Sequence, residues 1–353
     1  MRKLGDQVVY KDDRFYSAFP SIVRRRDGEL IVAFRRAPER RLTGAAGVSH
    51  TDPNSYLVLV RSRDGGETWT REPELIWAHA EGGSQDPCMV QLSDGSILCA
   101  SYAWYQMPVV KDAAAGKRVF EFMGGYLVRS RDGGKSWQGP ILPPPVPGVD
   151  RKDPFGRLLP SYNRGAMCQG RDGRVYWAVA HQNNWGTTSI SLMISADGGT
   201  TWTYSCRIAE DEKVTFNETS LYETANGDLV AFVRTANFED HTVVVRSTDR
   251  GKSFGKWEDA GFQGHPHHAV RLTDGRVWLV YGYRHKPYGI RARVLDAECR
   301  EPGKAEEIVL RDDGGSGDLG YPWAVVLPGG RVLTVYYFNE GNGTRYIGGT
   351  ICG

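Results

Sequence analysis

Four copies of one eight-residue phrase recur along the 353-residue chain, and no other feature limits its fold so sharply. Ser62-Arg-Asp-Gly-Gly-Glu-Thr-Trp69 is followed by Ser130-Arg-Asp-Gly-Gly-Lys-Ser-Trp137, Ser195-Ala-Asp-Gly-Gly-Thr-Thr-Trp202 and Ser247-Thr-Asp-Arg-Gly-Lys-Ser-Phe254. A fixed motif returning at such an interval is the signature of a stacked or radial array. The chemistry inside the phrase says what it builds. Ser and Asp side chains bond nearby backbone N–H groups, Gly takes the positive-φ corner, and the aromatic packs beneath. Apolar β-rich segments such as Tyr56–Val60 and Thr242–Val245 flank the copies. The phrase therefore reads as a hairpin turn, not as a catalytic loop.

A second repeated element lies upstream of each copy: an apolar strand, a tight turn and another apolar strand. The turns are Asp27-Gly28, Asp94-Gly95, Asp172-Gly173, Asn226-Gly227, Asp274-Gly275 and Gly329-Gly330. Asp-Gly or Asn-Gly between apolar runs is a strong short-range hairpin signal. These six hairpins (20–34, 87–102, 165–180, 219–234, 269–283 and 323–337) fall into two groups. The first four precede a copy of the phrase; the last two precede the plain strands Gly289–Leu295 and 345–351. Six units of about four strands, with almost no helical periodicity, predict an all-β six-bladed propeller of four-stranded antiparallel blades. Residues 1–353 are expected to form one such domain, with Gln7–Tyr10 closing the last blade.

The balance of 44 basic and 42 acidic residues leaves a net charge of +2, which argues against a nucleic-acid partner. No apolar run approaches a membrane span, and the start lacks a signal-peptide pattern. A cytoplasmic location is expected, or a secreted or periplasmic one if a leader has been removed. The six cysteines are scattered without CxxC spacing and read as ordinary buried thiols.

Propeller topology turns this count into a site map. The Asp-Gly turns and the repeated phrase share one face, so the residues leading into each axial strand lie on the other. Those residues include Phe19, Asp86, Tyr162, Arg164, Asn217, Glu218, His265, His267 and Tyr321. The second strands end at Arg35 and Arg36, Trp104, His181, Arg234 and Arg284. Cations, aromatics, acids and bases concentrated at one mouth suit an acidic glycan. The run His265-Pro266-His267-His268 invites a metal, but no carboxylate or cysteine stands beside it in sequence, so neither metal nor cofactor is expected.

On these residues the chain resembles the sialidase (neuraminidase) superfamily, whose repeats are the Asp boxes above. The resemblance spans all six blades. Asn217-Glu218 with Arg234 is similar to the family's blade carrying the glutamate that assists the nucleophile and one carboxylate-binding arginine. Gly320-Tyr321 before Gly329-Gly330 is similar to the blade of the tyrosine nucleophile. Arg284 falls near another family arginine, and the loop Ser49–Pro53 is similar to the one bearing the acid/base aspartate, here Asp52. The resemblance implies an exo-acting glycoside hydrolase that removes a terminal sialic acid or related acidic sugar. Sialidases depart from the usual two-carboxylate rule by using a tyrosine; a neutral hydroxyl avoids repulsion by the substrate carboxylate. One departure stands out. The family has an Arg two residues before the first-blade proline, and Ala18-Phe19-Pro20 places Ala there. Arg35, Arg36 and Arg164 are the candidates to replace it.

Two other readings stay open at this level. A uronate-directed polysaccharide lyase or unconventional glycosidase would use His181 or His267 with Tyr and Arg, and the missing first-blade arginine favours it. A non-catalytic glycan-binding propeller would keep the aromatics and need no acid, base and nucleophile together. Asp86 and Trp104 complete the set of expected substrate-binding residues. The oligomeric state is not legible.

Overall fold

The computed structural model describes residues 1–43, 50–107, 119–341 and 343–353. Six antiparallel sheets follow one another along the chain. Blade 1 comprises Phe15–Arg24, Leu30–Pro38, Tyr56–Ser62 and Glu74–Trp77, each strand bonded to the next. Blade 2 runs from Cys88–Gln91 through Ile97–Met107 and Val119–Ser130 to Gln138–Ile141, and blade 3 from Cys168–Gln169 through Val175–Gln182 and Thr188–Ser195 to Thr203–Ala209. Blade 4 begins at Phe216–Glu223 and Leu229–Thr235, blade 5 at His267–Arg271 and Val277–Tyr283, and blade 6 at Gly320–Val326 and Val332–Phe338. The N-terminal strand Lys3–Tyr10 pairs with Tyr346–Cys352 and becomes the outer strand of blade 6, as the sequence predicts.

The middle strands carry unbroken apolar runs. Leu30-Ile31-Val32-Ala33-Phe34 is wholly buried, as is Val277-Trp278-Leu279-Val280-Tyr281. A strand covered on one face alternates apolar and polar residues; these do not, because each blade packs against a neighbour on both faces. Each large apolar side chain among them contributes roughly 1.5–3 kcal/mol on burial.

The four Asp boxes fold alike. In each, the Ser Oγ donates to the Asp Oδ1 at 2.7–2.8 Å. The same Oγ accepts the N–H of the second glycine position at 2.7–2.9 Å. The Asp carboxylate in turn takes the N–H of the seventh residue at 2.9–3.0 Å. The second glycine position of each box abuts the preceding blade: Gly134 reaches Ile31 and Leu59, Gly199 reaches Leu98, and Gly251 reaches Leu192. Gly66 of blade 1 meets Leu333 of blade 6, so the same contact closes the ring. The motif is thus an inter-blade fastener as well as a turn.

Two axial strands are shorter than their hairpins suggest. In blade 2, Gly83–Ser84 and Cys88–Gln91 pair separately with Ile97–Met107, because Pro87 has no N–H to continue the ladder. In blade 3 the continuous ladder shrinks to Cys168–Gln169, with one isolated bridge from Tyr162 to Ala180; between them, Gly165 is pressed against the Thr219 carbonyl of blade 4, with room for no side chain.

Gly199→Ala tests the fastener. Gly199 sits at a φ of 86°, and an added Cβ would lie 2.4 Å from Leu98 Cδ1 in the packed core. A loss of about 1–3 kcal/mol in urea unfolding is expected from overpacking, beyond the backbone strain. Gly28→Ala, at φ 90° with open space around it, should show the strain alone.

Candidate functional site

Three strands from two blades meet at the centre of the mouth. Glu218 projects from the first strand of blade 4, Arg234 from the end of its second strand, and Tyr321 from the first strand of blade 6. The Tyr321 hydroxyl donates to Glu218 Oε1, and Arg234 Nη1 contacts Glu218 Oε2. The same Arg234 Nη1 lies 3.1 Å from the Tyr321 oxygen. Two residues 103 positions apart in sequence therefore share a proton-bearing contact. Burial alone would raise the Glu218 pKa, but the Arg234 charge and the hydrogen bonds from Tyr321 and Arg234 outweigh it and hold it at about 2. Burial and the Glu218 carboxylate push the Tyr321 phenol well above its usual value, against the opposing pull of Arg234 and Arg284. At rest the proton sits on the phenol and the charge on the carboxylate.

Tyr321 is held in unusual backbone geometry. Its φ is 52°, in the left-handed region that non-glycine residues rarely occupy, and Phe19 at the matching position of blade 1 has φ 57°. Both precede a proline, which disfavours helical backbone further. The two rings meet edge to face, 4.7 Å between centroids.

Arg284 donates from Nη2 to Tyr337 Oη at 2.9 Å and from Nε to the Leu319 carbonyl at 3.0 Å, with its guanidinium 5.1 Å from the Tyr321 ring. Tyr337 in turn donates to Asp318 at 3.0 Å, which also accepts from Tyr16 and pairs with Arg345 and His50. Sequence alone does not single out Asp318, because residues 312–317 read as plain loop; its position three residues before Tyr321 is the one signal that could have found it.

The remaining expected residues separate. Arg35 and Arg36 are neighbours in one strand and so point to opposite faces. Arg35 is fully buried near Tyr16 and Phe19, whereas Arg36 pairs with Asp12 at 3.2 Å and lies over the Phe15 ring at 3.5 Å, outside the central cluster. Arg164 forms a floor beneath Tyr321, 4.6 Å from its ring, and donates to the Pro20 and Tyr321 carbonyls at 3.3 Å each. Asp86 is buried 4.0 Å from Arg164. Trp104 joins an aromatic cluster with Phe122, 5.1 Å away, which packs on Tyr162 at 4.2 Å. Tyr102 links that cluster to Asp86 by a long contact of 3.5 Å.

Asp52 is also buried, and it is not free to act. Arg40 grips both its oxygens at 2.7 and 2.8 Å, and the Asn54 N–H adds a third bond. Burial would raise its pKa, but these partners hold the carboxyl below its ordinary value. Ser49, at the start of that loop, lies outside the described residues. The histidines are dispersed. His181 sits between Ser191 and Arg207, and burial followed by the Arg207 charge lowers its pKa to about 4. His267 bonds Thr242 at 2.8 Å and is pushed to about 3, chiefly by burial. His268 accepts the Ala324 N–H and stacks on Trp323. His265 pairs with Asp240 at 3.2 Å, which also faces His285.

Asp86 gives this frame a pH signature. Burial, with Glu218 adding to it, raises its pKa from 3.8 to about 7 despite Arg164, Arg35 and His50. A carboxyl whose folded pKa exceeds its unfolded value contributes stability fully below the unfolded pKa and loses it as pH rises through the folded one. Thermal midpoints should therefore fall between about pH 4 and 7 through this group, and Asp86→Asn should flatten that part of the profile. An unchanged slope in the variant would show that another group governs it.

None of the curated proteins matches the sequence. Among solved structures, a Dyadobacter fermentans protein of unknown function is 53% identical with a TM-score of 0.94, over 99% of this chain and 98% of that one. A Hadza microbial sialidase is 16% identical with a TM-score of 0.67, over 98% of this chain and 68% of that one. Trypanosoma rangeli sialidase in complex with the inhibitor DANA is 15% identical with a TM-score of 0.64, over 99% of this chain and 58% of that one. These two sialidases share the propeller fold with this chain. Residues 109–334, more than half of the sequence, match the BNR repeat-like domain. With four Asp boxes carried by the first four of its six blades, the chain belongs to the BNR repeat-like domain family.

Proposed function

We propose that this protein is an exo-acting glycosidase that releases a terminal sialic acid or related acidic sugar. The observation that carries the reading is the contact of Tyr321 with Glu218, clamped by Arg234. In the first step the phenol attacks the anomeric carbon while its proton passes to Glu218, and the glycosidic bond breaks toward the leaving oxygen. A carboxylate that starts ionised and hydrogen-bonded to the hydroxyl is placed for that transfer. Arg234 and Arg284 would hold the substrate carboxylate by bidentate bonds. The leaving oxygen needs a proton, for which Asp52 is the candidate. For that, its pair with Arg40 must loosen when substrate arrives and the carboxylate must take up a proton from solvent, which it passes to the leaving oxygen. Left ionised, it then takes a proton from the attacking water in the second step. Hydrolysis by water then frees the sugar with retained configuration.

A lyase acting through His181 or His267 gains less support, because both rings are buried, neutral and bonded to neighbouring side chains.

Tyr321→Phe should lower turnover of a sialyl substrate ~10³-fold or more while leaving binding within about 3-fold, since only the covalent step is lost. Arg234→Lys should weaken binding about 10-fold, because the planar fork is lost. Rate and equilibrium binding measured on both variants check this. A Tyr321→Phe variant that keeps full turnover excludes the tyrosine mechanism. An unsaturated uronate among the products of a uronyl substrate would replace it with elimination, and binding without turnover of any acidic glycan would leave a lectin-like propeller.

A further inference from the structure

Arg35 is the least explained side chain of the mouth. It is fully buried, and none of its three guanidinium nitrogens has a hydrogen-bond partner among the described residues. Arg164, the other arginine at this depth, is instead tied to two carbonyls and to the rings of Tyr321 and Trp323. A buried charge with unspent donors is strongly unfavourable unless something else supplies acceptors. Sheet register shows why Arg35 fits where it does. It stands directly across from Ala18 on the neighbouring strand, and residues paired in this way project to the same face. The methyl of Ala18 leaves the volume above that pair to the guanidinium. Aromatic side chains cover it: Tyr16 at 5.5 Å and Phe19 at 6.0 Å from ring centroid to Arg35 Cζ. Phe19, with its left-handed backbone, also lies against Tyr321.

We infer that Arg35 is a ligand for the carboxylate of an acidic sugar, a cation moved across the ladder from the Ala18 position to its partner strand, and that Phe19 covers it until the sugar binds. This rests on the reading of the site as one for acidic sugars. The sugar's carboxylate oxygens would take the donors that the protein leaves unused, beside those of Arg234 and Arg284.

Two acids, sialic acid and glucuronic acid, and their methyl esters are titrated calorimetrically against the full chain and Arg35→Met. Methionine fills a similar volume without charge. Expected are a thermal midpoint of the ligand-free variant equal to or above that of the parent, acid affinity reduced about 10- to 100-fold, and ester affinity unchanged. Preserved acid affinity overturns the assignment, and so does a variant that fails to fold, since the guanidinium would then be a structural requirement. Ala18→Arg combined with Arg35→Met should restore acid affinity at least in part; no recovery overturns the exchange between strands. Phe19→Ala should speed association of the acid several-fold, and an unchanged rate removes Phe19 as the cover. If the parent binds neither acid, the reading of the site fails as a whole. If the parent binds acid and Arg35→Met binds it equally well, only the role of Arg35 fails.

Discussion

No blade of this protein can bury both of its faces alone, and that constraint organises everything else. The middle strands are apolar on both sides, so each sheet requires a neighbour on its left and right. A linear stack would leave two sheets exposed at its ends. Closing the stack through Lys3–Tyr10 on Tyr346–Cys352, with Gly66 seated against Leu333, removes both ends at once. The Asp boxes matter because they repeat one such seat from blade to blade with the same three hydrogen bonds.

The ring in turn makes the central chemistry sustainable. Glu218, Arg164, Arg35, Asp86 and Tyr321 crowd an axis where little water reaches them, with Arg234 and Arg284 beside them. Packed sheets on all sides supply the rigidity that holds such groups at fixed distances, and the low polarity of the surroundings strengthens each pairing. Tyr321 and Phe19 store part of this in their backbones, at angles that their residue types disfavour. The arrangement separates groups whose needs are met, such as Glu218 between a phenol and a guanidinium, from groups left wanting, above all Arg35.

The fold was legible in the sequence because its signals are local. Each Asp box or Asp-Gly turn declares itself within eight residues, and counting them predicts six blades. The Tyr321–Glu218 contact was legible at one remove, since topology brings the starts of axial strands together whatever their separation in sequence. Side-chain pairing was not legible. Nothing in the sequence announces that Arg40 clamps Asp52, because the Asp52 backbone is seated against Gly83, a residue far along the chain that belongs to the next blade. That Arg35 faces inward and Arg36 outward follows from strand alternation only once the register with Ala18 and Ser17 is known. The histidine run illustrates the same limit: three ring systems close in sequence end with Asp240, Thr242 and Ala324 as their separate partners.

The joint between the first and last strands has a temporal consequence. Gln7 pairs with Gly349, so this contact cannot form until the strands of all six blades have been synthesised. Blades 1 to 5 can each form their own hairpins as they emerge, but Tyr321 has no fixed position against Phe19 until blade 6 has docked between its neighbours. A growing or truncated chain therefore holds Glu218 and Arg234 without the hydroxyl they flank. The three-residue cluster comes into being in a single closing event, and a chain caught before it would lack the Tyr321–Glu218 contact altogether.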